Sequence, residues 1–344
     1  QYLHNTLMKI KNKMNQSSHN TALEIDNARF PIRILSEKTN VGTSTIRAWE
    51  RRYGLLHPAR TPKGHRLYNA QDVQRILKVL DLLNDGHSLP AIAEILSVSH
   101  PTDRNAPPVA VSDRGPKTMA SSEMSTIWQD FIQSTLSSVN DFNIDRIDTI
   151  FNEATSLYPI DMVMDLLILP TIGILGEAWK QQPERGIAEE HFYTSWLKNR
   201  LGARFHHSYT HAKGARIVCA CAPGSYHEIG LMLFSLSALA HGYRVLYFGA
   251  DLPFDQLPYI TQRSAARAVV LSVQGIKKKS INPDLIELTS SLSTPIFIGG
   301  SDQPVDIDAF EKAGGILLGA NISVALRVFE SHVPAYPSSR ASPA

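Results

Sequence analysis

The last third of the chain constrains its fold most. From about residue 215, short β-rich runs alternate with helical segments: ARIVCACA, YRVLYFGA, ARAVVLSVQ, TPIFIGG and GGILLG, with helices beginning near His227, Pro253, Pro283, Asp306 and Ile322. The runs are nearly continuous in apolar residues, as strands covered on both faces must be. Five such alternations predict a doubly wound parallel sheet over residues 213–333. Ligands of such sheets bind in the crevice at the C-terminal ends of the strands.

What precedes the sheet differs in charge and in rhythm. The 344 residues carry a formal charge of only +2, yet residues 1–100 hold 14 Lys and Arg against 8 Asp and Glu, and the remainder 20 against 24. A basic head on an acidic body suggests nucleic-acid binding at one end and another task at the other. Residues 1–28 read as a mobile arm and 334–344 as a disordered tail. The Pro- and Ser-rich stretch 100–123 reads as a linker between a head at 29–99 and a helical bundle at 124–212, where apolar residues recur at three and four spacing. No apolar run reaches the ~20 residues of a membrane span, and no signal-peptide core opens the sequence, so we expect a cytoplasmic protein with no membrane partner. Cys219 and Cys221, on one predicted strand, are too few for a metal site and read as strand interior.

In the head, residues 32–53 read IRILSEKTNVGTSTIRAWERRY. A short helix from Ile34 to Thr39, a turn with Asn40 and Gly42, and a second helix capped by Thr43 or Ser44 predict a helix-turn-helix. The second helix presents Arg47, Arg51 and Arg52 outward and turns Ile46 and Trp49 inward, as a helix entering the major groove would. A basic, turn-rich segment follows, with Arg60, Lys63, His65, Arg66 and Tyr68 placed to clamp phosphates, then a helix from Asn69 or Ala70. The run RAWERRYGLLHPARTPKGHRLY resembles the N-terminal domain of MerR-family transcription regulators. That resemblance implies a winged helix-turn-helix, a dimer on double-stranded promoter DNA, Arg47, Arg51, Arg52 and Tyr53 near bases and phosphates, and the wing residues on the backbone. No long heptad pattern follows the head, so the oligomer has to form by other means.

The sheet region carries Gly224-Ser225-Tyr226-His227-Glu228-Ile229-Gly230 after its first strand. A histidine at such a strand-to-helix turn faces the ligand crevice, and Gly230 allows close approach. Ser272 and Gln274 end the third strand, and Gly299 and Gly300 the fourth. Together SxHxxG, SxQ and GG resemble the cobalamin-binding signature DxHxxG…SxL…GG of methionine-synthase and mutase domains. The resemblance implies a Rossmann-like (flavodoxin-like) domain with His227 as the lower axial ligand of cobalt. It places Ser272 beside the nucleotide tail and has Gly299 and Gly300 clear its path. Ser225 stands where the family has an acid that orients the histidine, and Gln274 where it has leucine.

In the bundle, Gly176-Glu177-Ala178-Trp179 followed by Gly186-Ile187-Ala188-Glu189-Glu190-His191 resembles the four-helix cobalamin cap of the CarH/LitR type of light-dependent repressors. There Trp179, Glu190 and His191 would cover the upper ligand. This chain has one extra residue between the two elements, and Lys180 where a histidine often follows the tryptophan. The combined resemblance, spanning about residues 30–332, implies a multidomain, non-enzymatic regulator that binds cobalamin, as adenosylcobalamin, and works as a homodimer or homotetramer. Three alternatives share parts of the pattern. One is the same build with a lost or altered cofactor, answering another chromophore, another cobalamin or a protein partner. The others are a cobalamin-carrying methyltransferase or mutase subunit, and a MerR-type activator sensing a small hydrophobic drug.

Overall fold

The computed structural model describes residues 29–98, 116–209, 212–276, 278–300 and 305–335. The arm at 1–28, the linker residues 100–115 and the tail from 336 lie outside the described residues. The chain divides into two bodies, residues 1–171 and 172–344.

In the first body, helices α1 (Ile32–Thr39) and α2 (Thr43–Tyr53) form the helix-turn-helix. Asn40 takes the left-handed conformation (φ 56°) that ends α1, as Gly54 (φ 61°) ends α2. The N-cap of α2 is Gly42, with no side-chain cap; Thr43 and Ser44, expected to cap, are already helical. A two-stranded wing, β1 (Ala59–Arg60) and β2 (Arg66–Leu67), turns through Gly64 at φ 81°. Helix α3 (Ala70–Asn84) starts at a full capping box, Asn69 accepting from the Asp72 amide and Asp72 from that of Asn69. Its apolar stripe, Val73, Ile76, Leu77 and Leu80, is buried, and α4 (Leu89–Val98) packs on it.

Helix α5 begins at Pro116, inside the stretch read as linker, and runs to Asn140. Proline is well suited to a first helical position, where its missing N–H costs nothing. Helix α6 (Ile144–Leu157), capped by Asn143, packs along α5 and also against α2 of the head. A further helix starts at α7 (Ile160–Val163), passes a π turn at Met164–Ile168 and continues as α8 (Leu169–Gln181). The division between the bodies falls within α8.

The second body continues with α9 (Pro183–Tyr209) and then the sheet. Strands β3 (Arg216–Cys221), β4 (Arg244–Gly249), β5 (Ala268–Ser272), β6 (Ile296–Gly299) and β7 (Ile316–Gly319) are all parallel, in the order β4-β3-β5-β6-β7. Helices α10 (Glu228–Ala240), α11 (Leu257–Ser264), α12 (Lys278–Ser291), α13 (Ile307–Lys312) and α14 (Ile322–His332) alternate with them. The third of these begins five residues before the expected Pro283, which lies inside it. The order is that of flavodoxin-like folds, in which the connections diverge between the first and third strands of the sheet. Here that switch point lies between β3 and β5. The core is strand interior: Val218, Ala220, Val269, Leu271, Ile296 and Ile298 are buried, with Leu257, Leu285 and Phe310 packing on them. Cys219 and Cys221 are free and buried, and burial pushes their thiols up to about 12 and about 11. Among the described residues no helix is long and apolar enough to cross a membrane.

Candidate DNA-binding face and ligand crevice

On the head, Arg47, Arg51, Arg52, Arg60, Lys63 and His65 are exposed. Arg47 and Arg51, one turn apart, define the outward face of α2. Its opposite face carries Thr45 and Trp49, whose Oγ1 and Nε1 donate to Thr155 O at 3.3 Å and Leu157 O at 2.7 Å, the last turn of α6. Trp49, read as core, is fully buried. Tyr53 is half-buried, and its hydroxyl is pushed up first by burial, with Glu153 adding to the rise and Arg52 opposing it.

The wing is organised by a residue that sequence reading passed over. Glu50 accepts from Arg66 Nε at 3.0 and 2.8 Å on its two oxygens and from Tyr68 OH at 3.4 Å, with an Arg60 nitrogen at 4.0 Å. Arg66 therefore serves to fix the wing to α2, and its charge is shared with a carboxylate before any phosphate arrives. Tyr68, placed on the DNA-facing wing by sequence, is fully buried. Its backbone bridges Phe30, which turns the ring inward, and burial reinforced by Glu50 pushes its hydroxyl up to about 12. A carboxylate one turn after Ile46 and Arg47, followed by a basic hairpin, was the available signal for Glu50.

In the second body, three of the predicted positions meet across neighbouring strand ends. Ser272 is the register partner of Cys221 on one side and of Gly299 on the other. Its hydroxyl donates to His227 O at 3.4 Å. Gly300 follows at φ 141°, a conformation open to glycine alone, and its amide bonds Gly319 O at 3.2 Å. His227 holds the N-cap position of α10, but its side chain makes no capping hydrogen bond, and its ring is exposed at the switch point. Above Gly230 there is open space, with no atom within 4 Å of where a Cβ would stand. Ser225 is fully buried, and its hydroxyl donates to Gln274 O at 2.8 Å. Among the described residues it makes no hydrogen bond to the His227 ring.

Next to His227, Glu228 receives Lys198 Nζ of α9 at 3.3 Å and Tyr247 OH of β4 at 3.2 Å. This clasp ties α9 to the start of α10 and was not visible in the sequence, because its partners lie 30 and 19 residues from Glu228. Trp179 is 39% exposed, and its ring stands edge-on to His191, centroids 6.5 Å apart. His191 Nδ1 lies 3.0 Å from Glu190 Oε2. Lys180 bonds Glu177 at 2.6 Å. Gly186 lets α9 turn tightly against α8, since a Cβ there would stand 2.6 Å from the backbone of Trp179.

The model of the MerR HTH family of regulatory proteins matches residues 30–98. The HTH-type transcriptional repressor CarH of Myxococcus xanthus is 28% identical over 277 residues, 79% of this chain and 89% of that protein. The repressor CarA of the same organism is 24% identical over 274 residues, 78% of this chain and 85% of the relative. Among solved structures, the monomethylamine corrinoid protein of Methanosarcina barkeri superposes with a TM-score of 0.48 at 16% identity, covering 59% of this chain and 98% of that one. Residues 30–98 thus match the MerR HTH family model, and the chain as a whole is similar to the repressor CarH along most of both lengths.

Proposed function

We propose that the chain is a transcription repressor whose hold on double-stranded operator DNA is controlled by a cobalamin bound over the C-terminal ends of β3, β5 and β6, with adenosylcobalamin as the light-sensing form. The observation that carries this reading is the exposed, uncapped imidazole of His227 at the switch point of the sheet. Among the described residues no group of three or more His, Cys, Asp or Glu gathers to hold a bare ion. A corrin already gives cobalt four nitrogens, so one imidazole is enough on the lower face. The open space over Gly230 and the glycine pair at the end of β6 fit the same group.

When bound, the group supplies a cobalt–carbon bond that light can break; the rest falls to the protein. His227 would hold the cobalt. Ser272 would meet the nucleotide tail, and Gly299 and Gly300 would leave it room. Trp179, Glu190 and His191 would cover the side of the group away from His227. Arg47, Arg51, Arg52 and the wing bases meet DNA phosphates and base edges. Control of DNA binding requires an interface with two arrangements, one favoured by the loaded protein. We assign that interface to self-association, a homodimer or homotetramer in the dark that comes apart in light. The similarity to CarH supports the repressor assignment.

The test is the absorption spectrum of protein incubated with adenosylcobalamin in the dark, freed of excess ligand, and then illuminated. A retained corrin whose spectrum changes on illumination, with a gel shift of operator DNA lost at the same time, is the expected result. Protein that retains no corrin would sink the reading and leave a regulator of the same build with another signal.

A further inference from the structure

We infer that the His227 imidazole is positioned by packing on Gly275, not by an acceptor on its far ring nitrogen; the inference rests on the cobalamin reading above. Gly275 lies in the loop after β5 at φ 78°, where side chains are disfavoured. A Cβ built on it would stand 2.8 Å from His227 Nε2, 2.9 Å from Cδ2 and 3.4 Å from Cε1. Along the in-plane lone pair of Nε2, both neighbouring ring carbons would be clearly farther from that point than the nitrogen. Instead Cδ2 is as near as Nε2, so the glycine lies over the face of the ring. Gly275 therefore does not stand in the direction of that lone pair, and it backs the ring with main chain.

The surroundings agree. The residues that end β5 hold the histidine loop at both sides: Gln274 O accepts from Ser225 Oγ at 2.8 Å, and Ser272 Oγ donates to His227 O at 3.4 Å. A carboxylate at position 225 would have no proton to give Gln274 O and would place its charge against that carbonyl. Ser225, Gln274 and Gly275 thus form one device, in which the serine anchors the loop and the glycine sets the ring. Gly275 is a positioning residue. Because the ring is exposed, a methyl group at 275 would displace it without opening the core.

The experiment compares Gly275→Ala with Gly314→Ala in the full chain. Gly314 has a similar positive φ of 94° and nothing within 4 Å of its Cβ position, so it carries the backbone strain without the contact. In cofactor-free, ¹⁵N-histidine-labelled protein, the ring signals of His227 are identified by their loss in His227→Ala. They are expected to move in Gly275→Ala and to stay in place in Gly314→Ala. Unmoved signals in Gly275→Ala would overturn the inference. With cob(II)alamin added, the paramagnetic resonance of the wild type should show an axial nitrogen that responds to the histidine label. Gly275→Ala should lose that splitting and retain corrin about tenfold less. Full histidine splitting in Gly275→Ala would also overturn the inference. A wild type that takes up no corrin would instead sink the cobalamin reading, one whose axial nitrogen is not histidine would remove His227 as its ligand, and in either case the ring signals of the free protein would still decide the packing.

Discussion

The head and the crevice solve the problem of placing a phosphate-seeking or metal-seeking side chain in opposite ways. In the head, Glu50 gathers Arg66, Tyr68 and the nearby Arg60, so the wing is pinned to α2 by charge-assisted bonds. In the crevice, the ring of His227 has no hydrogen-bond partner among the described residues and rests against a glycine. A surface that must match the fixed spacing of a duplex benefits from being set before contact. A ligand position benefits from an uncommitted lone pair. Saturated bonding therefore marks scaffold, and the exposed group without a hydrogen-bond partner marks the site.

The largest effect that would break this contrast is expected at His227. His227→Ala should lower cobalamin retention by about 100-fold or more, beyond the 10–100-fold typical of groups behind a ligand, while leaving the melting curve unchanged. Equilibrium dialysis measures it, and equal retention would mean that the exposed ring is not the ligand. Glu50→Gln should cost the first body about 1–2 kcal/mol, a modest value because Arg66 is one-third exposed, read as a loss in denaturant midpoint. An unchanged midpoint would deny Glu50 its role as hub.

Alkaline titration sharpens the same side of the comparison. Tyr68 is held up to about 12 in the folded chain against an ordinary value of 10.0. The folded state keeps a proton that the unfolded state has released, so this contribution is complete below pH 10 and fades as pH rises toward 12. It amounts to at most about 2.7 kcal/mol, and Tyr68→Phe should remove that part of the pH dependence. Arg51→Ala should weaken operator binding while lowering the salt slope by about 0.9, the value of one phosphate contact. An unchanged slope with weakened binding would move Arg51 from phosphate to base. Trp49→Phe, which deletes the bond to Leu157 O, should cost about 1 kcal/mol, the smallest change.

Much of this was legible in the sequence where the interactions are local. The helix-turn-helix, the helix start at Asn69 or Ala70 and the five strands follow from turns, caps and apolar runs within a few residues of each other. Tyr68 was misplaced because its orientation is set by pairing with Phe30, 38 residues earlier. A period-two reading of the wing contains nothing of that partner. Motif spacing sets Ser225 where the family has the acid that orients the ring, because spacing aligns positions and not bonds. Its actual partner, Gln274 O, belongs to a loop 49 residues on. Gly275 passed unnoticed for a further reason: its contribution is an atom it lacks. The Pro and Ser content of residues 100–123 suggests a linker throughout, although Pro116 opens a helix that takes in the last part of that stretch.

The bond from Trp49 to the last turn of α6 bears on operator architecture. A head on a free tether samples many orientations and would accept half-sites at several separations. One riveted through the back of its reading helix gives up that tolerance. In the proposed dimer, the distance between two such helices, and so the number of base pairs between half-sites, is then dictated by whatever holds the α6 helices of two copies apart. Changing the operator spacing by a few base pairs should penalise that dimer as lengthening a rigid calliper would.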